Sequence, residues 1–198
     1  MPLHWRTSPG PEAMIEPGTE TQQLYIRPLV ENDVTLYLEH FARHRNESGR
    51  GDYHFMPFNP DDPSGPKGIS LEKLSLELTQ PGWQRYWVAF VEDADLIVGH
   101  VNLKGNPLVT ALHRCELGIG IERNWRSRGL GKRLMTVAIE FARQAPSLSW
   151  IDLGVFSHNE NAAGLYRSMG FRPLVTVADR FRIENQPVAD TLMTLNVD

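Results

Sequence analysis

The regular hydrophobic pattern of this chain begins near Gln23. An apolar stretch over residues 24–29 predicts a short strand. Apolar residues in helical spacing over 34–41 then predict a helix, with Asn32 or Asp33 as its cap. The chain therefore opens with a strand followed by a helix.

A loop and a pair of strands follow. The segment from His44 to Gly68 is rich in turn-forming residues but also carries aromatic ones, so we expect a lid or wall loop. A second, shorter helix is predicted from about Ser70 to Leu78. Two apolar runs, 86–91 and 96–103, are separated by four polar or small residues and predict an antiparallel hairpin.

The next strand has two unlike faces. Over residues 115–122 the odd positions are apolar and the even positions are Glu or Gly, which is the period of a strand. Leu130 opens a long amphipathic helix that ends before Pro146.

The remaining pattern predicts three more strands and one more helix. Residues 150–156 form a strand, and Asn159 or Asn161 caps a helix that Gly170 closes. Residues 171–183 and 188–197 complete the chain as a strand pair.

Composition narrows the class of protein. A chain of 198 residues with 41% hydrophobic residues suits a single domain over 23–198, while the Pro- and Gly-rich segment 1–22 predicts an irregular extension. A net charge of −4 exerts no pull toward nucleic acid or an anionic membrane. With one cysteine, Cys115, no internal disulfide can form, and the histidines show no metal-ligand spacing. We therefore expect a cytoplasmic protein without a metal, a nucleic-acid partner or a membrane partner.

A basic, glycine-containing loop joins the two-faced strand to the long helix. Gly129 and Gly131 let backbone N–H groups approach a phosphate, and the helix start adds the equivalent of about +0.5 charge. This favours a pyrophosphate ligand, although the glycines could instead permit close helix packing. A P-loop is excluded because Arg133 stands where Ser or Thr is required, and Gly118 and Gly120 lack the third glycine of a Rossmann fingerprint.

Two motifs together resemble the GNAT acetyltransferases. Glu-Leu-Gly-Ile-Gly-Ile followed by Arg126-x-x-Gly129-x-Gly131 resembles that family's strand and pyrophosphate loop. Asn159-x-x-Ala162-x-x-Leu165-Tyr166-x-x-x-Gly170-Phe171 resembles the helix and strand that complete its coenzyme A site. The resemblance implies an α/β (α+β) GNAT fold, with a mixed, mostly antiparallel sheet of about seven strands flanked by helices. It also implies acetyl-CoA as the acetyl donor.

The resemblance also implies which residues bind the cofactor. Backbone groups of the two-faced strand should pair with the pantetheine amides as an added strand would, and the basic loop should hold the phosphates. The predicted cofactor residues are Ile119, Gly120, Ile121, Arg126, Ser127, Arg128, Gly129, Leu130, Gly131, Lys132, Asn159, Ala162 and Tyr166.

Acetyl transfer to an amine needs a base for the amine and an acid for the departing thiolate. Tyr166 matches the family's acid, and a phenol with a pKa near ~10 is protonated at neutral pH. Glu116 is the preferred base because it shares a face with Gly118 and Gly120, an open track for the pantetheine arm; the alternative is a rim carboxylate that orients a cation. Glu122 is a poorer candidate because it lies nearer the phosphate loop. Gly154 stands where relatives that acetylate ribosomal proteins often carry a Glu.

The acceptor is the least determined part of the site. Acidic and aromatic residues on and after the first helix suggest a small cationic or aromatic amine; we expect Glu39, Tyr53 and Phe55 to contact it, with Glu47, Asp52 and Phe58 nearby. A peptide or protein acceptor is the alternative within the enzyme class. A non-catalytic acyl-CoA sensor is the alternative outside it, and a homodimer is possible.

Overall fold

The computed structural model describes residues 23–59, 62, 69–92 and 94–198. The predicted extension over residues 1–22 lies outside the described residues. The strands are β1 Leu24–Pro28, β2 Gln84–Val91, β3 Ile97–Gly105, β4 Arg114–Ile121, β5 Trp150–Phe156, β6 Arg172–Ile183 and β7 Gln186–Asn196. The α-helices are α1 Val34–Glu47, α2 Leu71–Ser75, α3 Leu130–Gln144 and α4 Glu160–Ser168.

All seven strands form one sheet in the order β1-β2-β3-β4-β5-β7-β6. The pairing of β4 with β5 is parallel and every other pairing is antiparallel. Glu184 and Asn185, both with positive φ, form the tight turn between β6 and β7. The predicted fold class, a mixed and mostly antiparallel seven-stranded sheet, is confirmed.

Helices cover both faces of the sheet. On one face α3 buries an apolar stripe that includes Leu134 and Ala138. On the other face α1 buries Tyr37, His40 and His44. Because side chains alternate along a strand, β3 sends alternate residues toward the α3 core and toward α1.

The sheet opens between β4 and β5. Their ladder joins only the segments 114–116 and 150–152, and no pairing is described beyond Glu116 and Asp152. The N–H of Glu122 donates to Val98 on the β3 side, so the even residues of β4 direct their backbone groups toward β3. The odd residues Ile119 and Ile121 therefore turn their N–H and C=O groups toward the opening.

The helices near the start of the chain differ from the predicted ones. α1 continues through Glu47, so residues 44–47 of the expected loop are helical, and α2 has only five residues. Asp33 is the α1 N-cap but makes no side-chain cap bond. Its carboxylate binds Arg27 at 2.5 Å and the Val30 N–H at 2.9 Å, because an ion pair is a stronger partner than a helix N–H.

Of the predicted lid loop, residues 60–61 and 63–68 lie outside the described residues. Among the described helices, none is long and apolar enough to cross a membrane.

Alanine substitutions at two glycines should change the free energy of unfolding in opposite directions. A Cβ on Gly105 would lie 2.3 Å from the indole of the fully buried Trp83, whereas a Cβ on Gly164 in α4 would meet nothing within 4 Å. We expect Gly105→Ala to lower the free energy of unfolding by about 1–3 kcal/mol through overpacking. The control Gly164→Ala should raise it by about 0.5–1 kcal/mol, because Ala favours the helix. Urea denaturation measures both, and a neutral Gly105→Ala would contradict the described packing.

Candidate functional site

The loop before α3 is shaped to admit an anion. Gly129, the N-cap of α3, has φ 76°, and a Cβ there would meet nothing within 4 Å. Ser127 also has a positive φ, of 59°. Among the described residues no side chain caps the helix, and its first backbone bond runs from the Arg133 N–H to the Gly129 carbonyl. The N–H groups over 130–132 are therefore available to a phosphate.

Gly129 and Gly131 require a residue without a side chain for different physical reasons. A Cβ on Gly131 would lie 2.8 Å from Leu165 Cδ2 on α4, so Gly131 permits close packing of α3 against α4. Open space and a left-handed backbone at Gly129 instead suit the approach of a ligand. The packing interpretation therefore applies to Gly131, and ligand approach stays a prediction for Gly129.

The side chain of Arg126 is placed differently from the expectation. Its guanidinium donates to the Ile121 carbonyl at 2.9 Å, to Asp52 at 2.5 Å and to Glu47 at 2.8 Å, and lies over the Phe55 ring. These partners hold the guanidinium between the end of β4 and the loop after α1. Arg126 therefore ties that loop to the end of β4.

Exposed cations remain for the phosphates. Arg128 is exposed and lies over the Trp125 ring, with 5.2 Å from its guanidinium carbon to the ring centre, and Lys132 is exposed on the first turn of α3. Among the described residues, no carboxylate forms an ion pair with either side chain. The loop thus keeps a positive field although the chain is acidic overall.

The acidic residues expected to attract a cationic acceptor are already paired. Glu47 accepts from the Arg123 N–H at 2.9 Å as well as from Arg126. Burial alone would raise the pKa of Glu47, but the neighbouring His44 ring, a hydrogen bond from the Arg123 N–H and the charge of Arg126 lower it below the ordinary value. Glu47 and Asp52 therefore hold the loop together.

Tyr53 contacts the start of α4, and Phe55 contacts the last turn of α1. The Tyr53 hydroxyl donates to Asn159 Oδ1 at 3.1 Å, and the same oxygen caps α4 by accepting from the Ala162 N–H. Phe55 stacks on His44, with 4.8 Å between ring centres. In the described structure, neither side chain lines the pocket on the α1 face of the sheet.

Tyr166 is buried against the core on α4, and its ring neighbours Phe171. Burial raises the pKa of its phenol to about 12. No hydrogen bond of this hydroxyl is present among the described residues. The phenol is therefore protonated at neutral pH and has a proton to donate.

The expected open track along β4 is filled. Asn102 lies over Gly118, where a Cβ would be 2.8 Å from its Oδ1. His100 and His44 lie over Gly120, at 2.5 and 2.7 Å from a Cβ there. Gly120 also directs its backbone toward β3, so the expectation that it contacts the cofactor is not supported by its placement. The edge formed by Ile119 and Ile121 is the open part of β4.

Three carboxylates border the opening. Glu116 is exposed and lies in register with Lys104 and Asp152, at the closed end of the β4–β5 gap. On the opposite wall the carboxylate of Asp190 reaches over from β7, 2.8 Å from where a Cβ on Gly154 would lie. Burial raises the pKa of Asp190, with the charge of Arg180 opposing it. Asp190 thus occupies the space of the side chain that Gly154 lacks.

A pocket of about 190 Å³ lies on the α1 face of the sheet, beside the filled glycine track. Its wall combines aromatic, polar and cationic side chains, among them Tyr37, Tyr86, His100, Asn102, Lys73 and Lys104. Glu39 does not reach it. A helix turns about 100° per residue, so Glu39 points to solvent when Tyr37 and His40 face the sheet.

Buried histidines form a hydrogen-bonded chain behind this pocket. His40 Nε2 lies 2.9 Å from His100 Nδ1, and His40 Nδ1 lies 2.8 Å from Glu122 Oε1. Arg43 binds the same Glu122 carboxylate at 3.0 Å. These residues come from α1, β3 and the end of β4, so their spacing in the sequence gave no signal that they lie together.

The sequence matches the acetyltransferase (GNAT) family over residues 53–171. The chain is 23% identical to the [ribosomal protein uS5]-alanine N-acetyltransferase of Escherichia coli over 171 residues, which cover 84% of each protein. Two solved structures share the fold. An acetyltransferase of the GNAT family from Streptococcus pneumoniae has a TM-score of 0.74 at 24% identity and covers 89% of this chain and 100% of its own. A GNAT superfamily phosphinothricin acetyltransferase from Sinorhizobium meliloti, solved in complex with acetyl-CoA, has a TM-score of 0.67 at 14% identity over 87% and 88%.

The described residues fit acetyl-CoA at two places. The open N–H groups before α3 suit its phosphates, and the free edge of β4 suits its amides. The family match covers more than half of the chain and agrees with this geometry. The chain belongs to the GNAT acetyltransferase family and is an N-acetyltransferase that uses acetyl-CoA.

Proposed function

We propose that this enzyme acetylates the primary amine of a small molecule. The observation that carries the proposal is the pocket of about 190 Å³ on the α1 face, whose wall residues Asn102 and His100 lie directly over Gly118 and Gly120 of β4. A pocket of this size suits an amino-acid-sized acceptor rather than a folded segment of protein.

The chain's own groups divide the work of the reaction. The N–H groups over 130–132, with Arg128 and Lys132, hold the phosphates, and the edge of β4 orients the pantetheine arm. Ile121 has its carbonyl engaged by Arg126, so Ile119 supplies the free carbonyl and N–H of this edge. When bound, acetyl-CoA supplies the activated acetyl group. Tyr166 donates its proton to the sulfur that leaves.

The charges of the pocket favour an acceptor that carries an anion. Lys73 and Lys104 line it, and no carboxylate side chain does so among the described residues. An acceptor with a carboxylate next to its amine would place the carboxylate by these lysines. The expectation of a cationic acceptor rested on Glu39, Glu47 and Asp52, which are exposed to solvent or already paired.

The N-terminus of a peptide or protein is a second candidate acceptor. The observation in its favour is the similarity to the uS5-alanine N-acetyltransferase along 84% of both chains. The two candidates share an amine but differ in the group attached next to it, because a peptide N-terminus has no carboxylate beside the amine.

The experiment that tests the proposal is release of coenzyme A from acetyl-CoA with matched acceptors. Each amino acid is compared with its amide and with a short peptide that begins with the same residue. We expect kcat/KM to be at least about tenfold higher for the free carboxylate, because it adds an ion pair worth about 1.4 kcal/mol. A preference for the peptide would support the second candidate. If none of these acceptors is acetylated, a non-catalytic acyl-CoA sensor is favoured.

A charge change at Gly129 should weaken acetyl-CoA binding. Gly129→Glu adds a negative side chain at the open left-handed position, and we expect the Kd measured by calorimetry to rise about tenfold or more. Gly82→Glu is the matched control: Gly82 has φ 77°, similar open space and no part in the loop. If both variants bind alike, Gly129 is not beside the phosphates.

Removal of the Tyr166 hydroxyl should slow the chemical step. We expect Tyr166→Phe to lower kcat about ten- to a thousand-fold while the Kd for acetyl-CoA stays within a few-fold. Tyr25→Phe, on the exposed tyrosine of β1, should change neither. Full turnover of Tyr166→Phe, in an assay limited by chemistry, would show that the proton comes from elsewhere.

Lys104 should discriminate between acidic and neutral acceptors. We expect Lys104→Gln to raise KM for an amino acid several-fold and leave KM for its amide unchanged, because only the carboxylate loses a charged partner. Arg143→Gln, at an exposed cation in the last turn of α3, is the matched control. Equal effects of Lys104→Gln on both acceptors would contradict the acidic-acceptor proposal.

A further inference from the structure

His100 joins the acceptor pocket to a buried hydrogen-bond chain. The ring is 5% exposed and forms part of the pocket wall, while its Nδ1 faces His40. Among the described residues, the buried nitrogens without a partner are His44 Nδ1, His54 Nδ1 and Trp83 Nε1. His100 Nε2 has no described partner and is not among these buried atoms, so it is open to space, and the open space that His100 lines is the pocket.

The hydrogen bonds from Glu122 through His40 to His100 fix the tautomer of each imidazole ring. Glu122 is a carboxylate: burial favours its neutral form, but hydrogen bonds from His40 and Arg43 lower its pKa below the ordinary value. A carboxylate only accepts, so His40 Nδ1 carries a proton and donates it to Glu122. His40 Nε2 must then accept, and His100 Nδ1 donates to it. His100 Nε2 is left with a lone pair that faces the pocket.

The surroundings keep His100 neutral. Burial lowers its pKa well below 6.5, and the charges of His40, His44 and Lys104 lower it further. The other groups facing this cluster are Tyr37 and Arg43 on α1, Tyr86 on β2, Lys73 on α2 and Glu116 on β4. Burial likewise lowers the pKa of His40, against the carboxylate of Glu122. Neutral rings leave Nε2 free to accept a proton at pH 7.

The position of His100 places it against the reacting strand. Its ring covers Gly120, the neighbour of the Ile119 and Ile121 groups that form the open edge of β4. A side chain on Gly120 would push the ring away, since a Cβ would lie 2.5 Å from His100 Cε1. Glycine at this position therefore permits a histidine to lie between the pocket and the strand edge.

We propose that His100 is the catalytic base that takes the proton of the acceptor amine, with His40 and Glu122 as positioning residues behind it. The proposal rests on the proposed function, because it requires an amine in this pocket. The acceptor enters as the neutral amine after its ammonium proton has gone to solvent. As the nitrogen bonds to the acetyl carbon and the carbon–sulfur bond breaks, the N–H proton passes to His100 Nε2. Tyr166 protonates the sulfur, and solvent then returns a proton from His100 to Tyr166.

A weak base is sufficient at this point. The N–H of an amine becomes strongly acidic as its nitrogen bonds to a carbonyl carbon, so the proton can pass to an imidazole of low pKa. The imidazolium formed on His100 shares its Nδ1 proton with His40, which in turn donates to the negative Glu122. A metal-site interpretation of the histidines is not supported, because no group of three His, Cys, Asp or Glu in the described part of the chain is arranged to hold one.

The first test is spectroscopic and needs no acceptor. Long-range ¹⁵N–¹H spectra of the selectively labelled protein report the tautomer and titration of each histidine. We expect both His40 and His100 to carry the proton on Nδ1, and His100 to titrate below pH 6.5. A His100 that carries its proton on Nε2, or that is an imidazolium at pH 7, would overturn the proposal.

The second test is the pH dependence of kcat/KM for the best acceptor found by coenzyme A release. The base must be neutral, so the wild-type profile should fall with decreasing pH through the low pKa of His100. His100→Gln should lower kcat/KM at pH 7 about a hundredfold or more and abolish that acid limb. His113→Gln, at an exposed histidine before β4, is the matched control and should change neither.

The Glu122→Gln variant distinguishes a positioning role of Glu122 from a purely structural one. The amide oxygen can still accept from His40, but the charge that stabilises the imidazolium is lost, so the acid limb should move to lower pH and kcat should fall. An unchanged profile would contradict the role of Glu122. Loss of the acid limb on Glu116→Gln or Asp190→Asn, with His100→Gln fully active, would overturn the proposal and assign the base elsewhere. Turnover of no primary amine by the wild type would overturn the proposed function, and this inference with it.

Discussion

The parting of β4 from β5 is the constraint on which the rest of the site depends. At the closed end Arg114 binds Asp152 at 2.6 Å and Thr194 at 3.0 Å, which ties β4, β5 and β7 together. Beyond that point β4 has lost its neighbour, and the backbone groups of Ile119 need another partner. The uncapped start of α3 lies after the same strand and also presents free N–H groups. A ligand that carries amides and phosphates along one extended molecule can hydrogen-bond with both the strand edge and the helix start.

In the proposed function, the edge and the α1 face of β4 serve different substrates. The edge and the loop after it would receive the cofactor, while the α1 face carries glycines over which Asn102, His44 and His100 lie. The loop after α1 is held beside the end of β4 because Arg126 binds Glu47 and Asp52. The proposed acceptor pocket is lined by aromatic rings, a histidine and lysines of α1, α2, β2 and β3. Acceptor choice in this account depends on those elements.

The sequence predicted those strands and helices that the local spacing of apolar residues determines. The two-faced pattern over 115–122, the long α3 and the strand pair at the end of the chain all formed within a few residues of their predicted bounds. Asn159, one of the two predicted caps, is the N-cap of α4, and its side chain needs only the N–H three positions further on. The roles of Tyr166 and Glu116 stay predictions.

Long-range partners explain what the sequence left out. Arg126 reads as a phosphate ligand until Glu47 and Asp52, more than 70 residues earlier, are seen to bind it. From the sequence, Gly118 and Gly120 predict an open track. In the structure, Asn102 and His100 of β3 lie over them. The same holds for Glu122, His40 and His100, which three separate elements bring into one hydrogen-bonded chain.

Amide hydrogen exchange with and without acetyl-CoA tests the central claim most directly, because it reports which edge of β4 receives the cofactor. We expect acetyl-CoA to slow exchange at Ile119 and over residues 130–132, whose N–H groups have no strand or cap partner in the described structure. Gly118 and Gly120, already paired with β3, should change little. Protection that left Ile119 and residues 130–132 unchanged would contradict the proposed binding of acetyl-CoA in the β4–β5 opening.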